Sequence, residues 1–218
     1  MGDVGILIIS AGKLGREVHG WVQQAIRAGA PWRFKGFLDD RRDALSGFGY
    51  DAAICGGVDD YRPLPSDGFL CAVGEPRAKK RYCEAILRKN GRFVNLIHPT
   101  AIVGDHVRMG QGVILAPFVA LTSDLSIGSF VTISSFTGIA HDTRIGDYCQ
   151  LSGHCGVNGN AVLEEGVFLG SHAAILPSAR VGAWSYVGAG SVVLKRVPPL
   201  TKVFGNPAMP IGTTQAPG

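Results

Sequence analysis

The 218-residue sequence is poor in charge and in basic clusters, and both shortages exclude classes of protein. Charged residues make up 17% of the chain against 46% hydrophobic residues, which excludes global disorder and predicts a sizeable core. The net charge is only +4, and no block of lysine and arginine with interleaved aromatic residues occurs. We therefore expect no nucleic-acid partner.

The five cysteines form neither a dense framework nor a CxxC motif. An odd number of scattered cysteines indicates a reducing compartment. The apolar run at residues 4–10 is too short to cross a membrane and lacks a preceding basic segment, so it is predicted to be a first strand. We therefore expect a cytoplasmic protein without a membrane partner.

Residues 1–98 predict alternating strands and helices. The runs "VGILIIS", "FKGFLDD", "AAICGG", "FLCAVG" and "RFVNLI" are typical of strands. Helical spacing follows in "AGKLGREVHGWVQQAIRAG" and in "EPRAKKRYCEAILRKNG", where Pro76 falls in the first turn and Gly91 lies past the end. This alternation predicts a small α/β domain with a parallel, Rossmann-like sheet.

Glycine is abundant, with 31 residues, about twice the usual share of ~7%. It accompanies a six-residue period: from Val103 to Val193 every sixth residue is aliphatic, sixteen times in sixteen steps. Such a period predicts a parallel β-helix in which three hexads form one coil of eighteen residues, giving about five coils. We expect the aliphatic residues to fill the interior and the small residue after most of them to let the corners turn. We assign residues 99–210 to this domain, with Cys149 and Cys155 as packing residues, and residues 211–218 to a disordered tail.

The hexads and several longer motifs together carry a family resemblance. The motifs are "IISAGKLGREV", "GFLDD", "VNLIHPTAIVG", "HDTRIGDY" and "VPPLTKVFGNPA". Over about residues 4–208 the chain resembles bacterial sugar acetyltransferases of the hexapeptide-repeat type. That group includes nucleotide-amino-sugar N-acetyltransferases of bacillosamine and perosamine synthesis and the sialic-acid O-acetyltransferases. The resemblance implies a left-handed β-helix, a homotrimer with active sites between β-helices, acetyl-CoA as donor, and a nucleotide sugar held by the N-terminal domain.

His141 and Asp142 are neighbouring titratable residues in a stretch of small and aliphatic residues. One coil above His141, at 141 + 18, stands Gly159, so a bare amide is expected about 5 Å from the imidazole. Histidine can accept a proton near neutral pH, a glycine N–H can stabilise an oxyanion, and an aspartate can fix the imidazole tautomer. Position alone favours a solvated polar corner, whereas the resemblance implies that His141 is the general base.

Other histidines are weaker candidates. Some members of the family carry a second histidine nine residues after the first, where this chain has Gln150, which can orient a ligand but not act as a base. His154 and His172 lie one coil apart and are expected to form a solvated or interfacial stacked pair rather than a catalytic one. The histidine spacing does not match the three-histidine zinc site of a β-helical carbonic anhydrase, so we expect no metal.

The N-terminal domain carries a glycine-rich loop, Ser10-Ala-Gly12-Lys13-Leu-Gly15, between a predicted strand and helix. Helix N-terminal amides suit a phosphate, and acidic residues after the second strand suit a ribose or base. Predicted substrate-binding residues are therefore Ser10, Gly12, Lys13, Gly15, Asp39, Asp40 and Gly74. The alternative for the two aspartates is a helix cap or turn.

For CoA, the resemblance points to the late coils. Gly170 and Gly188 lie one coil apart and are expected to present a stripe of bare backbone to the pantetheine. Predicted cofactor-binding residues are Gln150, Gly170, Gly188, Lys195, Gly205, Asn206 and Pro207. Lys195 is equally compatible with a solvated basic end.

The leading hypothesis is an acetyl-CoA-dependent N-acetyltransferase acting on a nucleotide-linked 4-amino-6-deoxy sugar. O-acetylation of a sugar hydroxyl, as in the sialic-acid enzymes, is the alternative. A NAD-dependent oxidoreductase is suggested only by the glycine loop, and a non-catalytic scaffold predicts no thiol release from acetyl-CoA.

Overall fold

The computed structural model describes residues 4–217. Its N-terminal part is a parallel three-stranded sheet, in the order β2-β1-β3, with two helices. The elements are β1 (Val4–Ile9), α1 (Lys13–Arg27), β2 (Trp32–Leu38), β3 (Asp67–Cys71) and α2 (Pro76–Leu87). The predicted strands "AAICGG" and "RFVNLI" add only single bridges to this sheet, Ile54 to Phe37 and Phe93 to Phe69. The predicted parallel α/β domain is confirmed.

The helices form where the sequence predicts them. In α1, Val18, Val22 and Ala25 lie on one buried face, as an amphipathic helix requires. Glu75 caps α2 by accepting a hydrogen bond from Ala78 N–H at 2.7 Å, and Pro76 occupies the first turn. No helix among residues 4–217 has the length and apolarity needed to span a bilayer.

The rest of the chain is a left-handed parallel β-helix of about six coils with three faces. The first face holds β4 (Leu96–Ile97), β7 (Ile114–Leu115), β10 (Thr132–Ile133), β13 (Gln150–Leu151), β16 (Phe168–Leu169), β19 (Tyr186–Val187) and β22 (Thr201–Phe204). The second holds β5 (Ile102–Val103), β8 (Ala120–Leu121), β11 (Gly138–Ile139), β14 (Gly156–Val157), β17 (Ala174–Ile175) and β20 (Val192–Val193). The third holds β6 (Arg108–Met109), β9 (Ser126–Ile127), β12 (Arg144–Ile145), β15 (Val162–Leu163), β18 (Arg180–Val181) and β21 (Arg196–Val197).

The aliphatic column fills the interior of this prism. Ile133, Leu169 and Ile175 are completely buried in it, and Cys149 and Cys155 pack beside them as unpaired thiols, as predicted. The coil count exceeds the predicted five because β4 and β22 extend the first face at both ends.

The small residues of the hexads do not form the bends at the corners of the β-helix, contrary to the expectation. The left-handed residue stands three positions after each aliphatic one and often carries a large or polar side chain, as at Phe136 (φ 62°) and His154 (φ 60°). The small residues serve close stacking instead: a Cβ on Gly146 would lie 2.6 Å from the backbone nitrogen of Glu165 in the next coil. The predicted role of the small residues at the corners was therefore wrong. The short distance between neighbouring coils, and not the bend of the chain at a corner, limits the size of these side chains.

The N-terminal domain covers the first face where that face begins, at β4 and β7. Leu96 and Ile114 point outward from the β-helix and are buried against Ile6 and Ile8 of β1. The predicted domain boundary at residue 98 lies just after β4, which already pairs with β7.

The predicted disordered tail is partly wrong. Residues 211–213 belong to β23 (Met209–Thr213), which pairs antiparallel with β22 because that strand ends the first face and leaves an edge to pair. Beyond β23, Thr214 donates through its hydroxyl to Trp184 O at 2.5 Å, and Arg77 donates to Gln215 O at 3.1 Å. Residue 218 lies outside the described residues.

Candidate active site

His141 and Asp142 stand on the edge between the second and third faces, which we call the histidine edge (residues 141, 142 and 159). Asp142 takes the left-handed corner conformation (φ 59°), and this turns its carboxylate back to the imidazole. Nδ1 of His141 lies 2.8 Å from Oδ2 of Asp142, and both side chains are more than half exposed. Because a carboxylate only accepts hydrogen bonds, Nδ1 carries the proton in neutral His141 and Nε2 is left as a base.

Gly159 lies directly beside this imidazole. A Cβ at Gly159 would be 2.7 Å from Cε1 and 2.8 Å from Nε2 of His141. Coil pairing holds the two levels together, since Asn160 N–H donates to His141 O at 3.0 Å. Among the described residues, no acceptor faces the Gly159 N–H. The structure therefore brings His141, Asp142 and Gly159 together as predicted, and their catalytic roles stay a prediction.

His154 and His172 lie on the edge between the first and second faces, which we call the aromatic edge (residues 118, 136, 154 and 172). Their rings stack at 4.7 Å, as expected, and continue a column through Phe136 and Phe118. Both phenylalanines are 54% exposed. This pair is on a different edge from His141.

A pocket of about 570 Å³ opens on the first face, where the N-terminal domain ends. Its wall includes Gly74 from the loop before α2 and Gln150, Phe168 and Tyr186 from three successive coils. Phe168 and Tyr186 stack at 4.7 Å. The pocket therefore unites predicted residues Gly74 and Gln150, but His141, on the histidine edge, is not among the residues that line it.

A second cleft of about 320 Å³ lies at the carboxyl ends of β1 and β2 and is lined by Ser10, Asp39 and Asp40, three of the residues predicted to bind the nucleotide. Their contact with a nucleotide stays a prediction. Ser10 has a φ of 77°, and its hydroxyl accepts from Gly12 N–H at 3.1 Å. Gly15 is required there, because a Cβ would lie 2.0 Å from Ser10 O.

Asp39 also stabilises the loop. It accepts from Ala11 N–H at 2.9 Å and pairs with Arg41 at 3.2 Å. Partial burial raises the pKa of Asp39, but hydrogen bonds from Arg41 and Ala11 outweigh burial and hold it below its usual value. Lys13 is exposed at the start of α1, outside the residues lining the cleft. The two cavities adjoin through consecutive residues, since Val73 lines the cleft and Gly74 the pocket.

The predicted CoA residues, apart from Gln150, line neither cavity. Gly170 and Gly188 are buried, and each has a packing role: a Cβ would lie 2.5 Å from Ala189 N in the first case and 2.4 Å from the Phe204 ring in the second. Lys195 is exposed before β21, and Gly205, Asn206 and Pro207 form the turn between β22 and β23. Contact of these residues with CoA stays a prediction.

Lys79, a residue that no sequence motif indicates, lies on α2 and is completely buried against the first face. Its ammonium donates to Thr132 Oγ1, Cys149 O and Gln150 Oε1, each at 3.1 Å. Burial lowers its pKa to about 8. No sequence signal separates it from Lys80, its neighbour on α2, which pairs with Glu165 at 2.9 Å and stays partly exposed. Within residues 4–217, no three His, Cys, Asp or Glu side chains gather as a metal site would require.

Comparison with known proteins gives relatives along nearly the whole chain. The GDP-perosamine N-acetyltransferase of Escherichia coli O157:H7 is 31% identical over 210 residues, covering 92% of this chain and 93% of the relative. No family model matches the chain.

Two solved structures agree with the fold. PerB from Caulobacter crescentus, in complex with CoA and GDP-perosamine, superposes with a TM-score of 0.85 at 26% identity, covering 95% of this chain and 97% of that one. WeeI from Acinetobacter baumannii AYE superposes with a TM-score of 0.84 at 27% identity, covering 95% and 100%. The similarity includes both the α/β domain and the β-helix.

Proposed function

The chain belongs to the hexapeptide-repeat sugar acetyltransferases, the family of the GDP-perosamine N-acetyltransferase, and on this premise we propose that it N-acetylates a nucleotide-linked 4-amino-6-deoxy sugar. It is an acyltransferase and uses acetyl-CoA as its co-substrate. The observation that carries the proposal is the His141–Asp142 pair lying against the bare backbone of Gly159. A cytoplasmic location stays a prediction.

The reaction is a direct transfer. The sugar amine attacks the thioester carbonyl carbon while Nε2 of His141 accepts the proton that the nitrogen loses. The Gly159 N–H stabilises the negative charge on the carbonyl oxygen. The tetrahedral intermediate then collapses, the C–S bond breaks, and the imidazolium returns the proton to the CoA sulfur. Asp142 keeps the proton on Nδ1 and stabilises the imidazolium, so no covalent enzyme intermediate is needed.

The two adjoining cavities suit the two parts of a nucleotide sugar. The cleft beside Ser10 and Asp40 offers carboxylates for the ribose or base of the nucleotide. The pocket beyond Gly74 offers the stacked rings of Phe168 and Tyr186, which suit the apolar face of a deoxy sugar. The ligand would pass from one cavity to the other over the Val73–Gly74 backbone.

A homotrimer completes the site, because one chain places the pocket and His141 on different parts of the prism. The second face supports such contacts, since its outward residues are uncharged: Ile102, Ala120, Gly138, Gly156, Ala174 and Val192. A Cβ on Gly138 or Gly156 would meet nothing within 4 Å, so this chain itself does not require glycine there. Close approach of a second copy explains both glycines, and we propose that His141 of one subunit serves the pocket of the next.

The activity is tested by CoA thiol release with a panel of UDP-, GDP- and dTDP-linked 4-amino-6-deoxy sugars. We expect turnover with one member, and a loss of about 10²- to 10⁴-fold in His141→Ala. His172→Ala, an exposed histidine on the aromatic edge, is the matched control and should keep wild-type turnover. Turnover that survives His141→Ala overturns its role as base. Turnover only with sialic acids or neutral sugars would establish O-acetylation instead.

The assembly is tested by light scattering. The wild type should have three times the 23.0 kDa chain mass. Gly156→Gln on the second face should dissociate the trimer and abolish turnover, whereas Ser126→Gln, outward on the third face, should do neither. A trimeric, fully active Gly156→Gln protein would show that the second face is not the interface.

A further inference from the structure

A buried lysine contacts the glutamine in the wall of the 570 Å³ pocket on the first face. Lys79 comes from α2 and Gln150 from β13, the fourth strand of the first face, and their Nζ and Oε1 atoms are 3.1 Å apart. Thr132 Oγ1 and Cys149 O hold the same ammonium from the β-helix, also at 3.1 Å. These three hydrogen bonds together hold the Lys79 ammonium in one position, next to the pocket-lining residue Gln150.

This contact determines which way the Gln150 amide faces. An ammonium has three donors and no acceptor, so the oxygen of the amide, not its nitrogen, must point to Lys79. No protein acceptor faces Nε2 of Gln150 among the described residues, yet every fully buried side-chain nitrogen or oxygen there has a partner. Nε2 therefore keeps accessible surface, and the accessible side of Gln150 is the pocket wall.

We propose that Lys79 is a positioning residue that fixes the Gln150 carboxamide so that its Nε2–H group donates a hydrogen bond to a hydroxyl or carbonyl oxygen of the bound sugar. The inference rests on the proposed function for the identity of that ligand. It reassigns Gln150 from the predicted CoA-binding residues to the sugar, because Gln150 lines the pocket with Gly74 whereas the other predicted CoA residues line neither cavity. Oriented in this way, Gln150 supplies only a donor on the pocket side, so it selects an acceptor atom of the sugar and takes no part in proton transfer.

A lysine that merely fills space between the domains would behave differently. Burying a charged ammonium costs free energy unless its hydrogen bonds are made, and an apolar side chain of similar size can replace it with little loss of stability. A space-filling role predicts that Lys79→Met leaves substrate binding unchanged. A positioning role predicts a selective loss of affinity for the nucleotide sugar.

The first test is steady-state kinetics of Lys79→Met, with Lys80→Met as the matched control, since Lys80 pairs with Glu165 instead. We expect Lys79→Met to raise KM for the nucleotide sugar about 5- to 10-fold, the value of one hydrogen bond, with kcat and KM for acetyl-CoA within about twofold. Gln150→Glu keeps an acceptor for Lys79 but removes the donor, so it should raise the same KM. If Lys79→Met does not fold, KM for the nucleotide sugar in Gln150→Glu is the measurement that tests the proposal. An unchanged KM for the sugar in either variant overturns the proposal.

The second test does not need turnover. The side-chain amide signal of Gln150, identified by its absence from the NMR spectrum of Gln150→Leu, should move and its hydrogen exchange should accelerate in Lys79→Met but not in Lys80→Met. If the wild type turns over no sugar and this signal still responds, the proposed function fails while the orienting contact stands. If the signal is the same in wild type and Lys79→Met, Lys79 does not orient Gln150.

Discussion

Replacing Gly159 by alanine is the most direct test of the histidine edge. The new Cβ would lie 2.7 Å from Cε1 and 2.8 Å from Nε2 of His141, where carbon contacts normally need about 3.5 Å. Gly159 has no left-handed φ, so alanine fits its backbone, and the exposed imidazole is the part that can move. The ring must withdraw by about 0.7–0.8 Å to relieve the clash.

A displacement of this size is large for catalysis and small for stability. Misplacing a catalytic group by about 1 Å can reduce the rate about 10²-fold, so we expect kcat to fall by about that factor. The free energy of unfolding should change by less than about 1 kcal/mol, because the ring moves into solvent. The measurements are CoA thiol release and urea unfolding, with Gly20→Ala, where a Cβ meets nothing within 4 Å, as the control.

Two outcomes would refute this reasoning. One is wild-type kcat in Gly159→Ala, which would mean that the position of the imidazole against this backbone is unimportant. The other is an additional full loss when Gly159→Ala is combined with His141→Ala, since both substitutions act on the same group and should not add.

Three further predictions concern charged groups. Asp142→Asn should lower kcat about 10- to 100-fold without changing KM, less than for a buried triad because the pair is exposed, and unchanged kcat would exclude an orienting role. The Asp67 carboxylate is completely buried with Lys35 at 2.6 Å. Burial raises its pKa, but hydrogen bonds from Lys35, Leu64 N–H and Tyr61 outweigh it and lower the pKa below the usual value. Its contribution is therefore present above about pH 4 and lost on further acidification, so Asp67→Asn should be less stable than the wild type at pH 7 in urea unfolding and less sensitive to acid. For Lys79, whose pKa burial lowers to about 8, the unfolded state binds more protons between about pH 8 and 10.5. The stability of the wild type relative to Lys79→Met should therefore rise by up to about 3 kcal/mol across that window, and a constant difference would contradict the lowered pKa.

The six-residue period predicted the β-helix well because each coil packs only on its neighbours. Strands pair in the register of eighteen residues, as Gly138 does with Gly156, so simple addition placed His141 beside Gly159. The glycine loop and the strand ends likewise predicted the cleft at Ser10 and Asp39, since parallel strands end at the same edge.

Features that do not follow the six-residue period could not be predicted from the sequence. The pocket exists because the N-terminal domain covers only the earlier coils of the first face. No local sequence pattern indicates the coil at which this contact with the N-terminal domain ends. Burial of Lys79 depends on the same docking. Strand β23 depends on the free edge of β22, and its residues, among them Pro210 and Gly212, have a weak strand propensity on their own.

The stacking of coils also restricts how this enzyme can change in length. Between Val103 and Val193 one inserted or deleted residue would turn the aliphatic side chains that follow it out of the prism, and one between residues 141 and 159 would also remove Gly159 from its place beside His141. Whole coils are thus the natural unit of addition or loss. A shorter spacing occurs only at the end of the prism among the described coils. There Arg180 pairs with Arg196 and Tyr186 pairs with Lys202, a spacing of sixteen residues instead of eighteen. Few coils follow this position, so few are displaced by the change. Variation in substrate must then come from exchanging side chains along fixed outward columns, such as the one that holds Gln150, Phe168 and Tyr186.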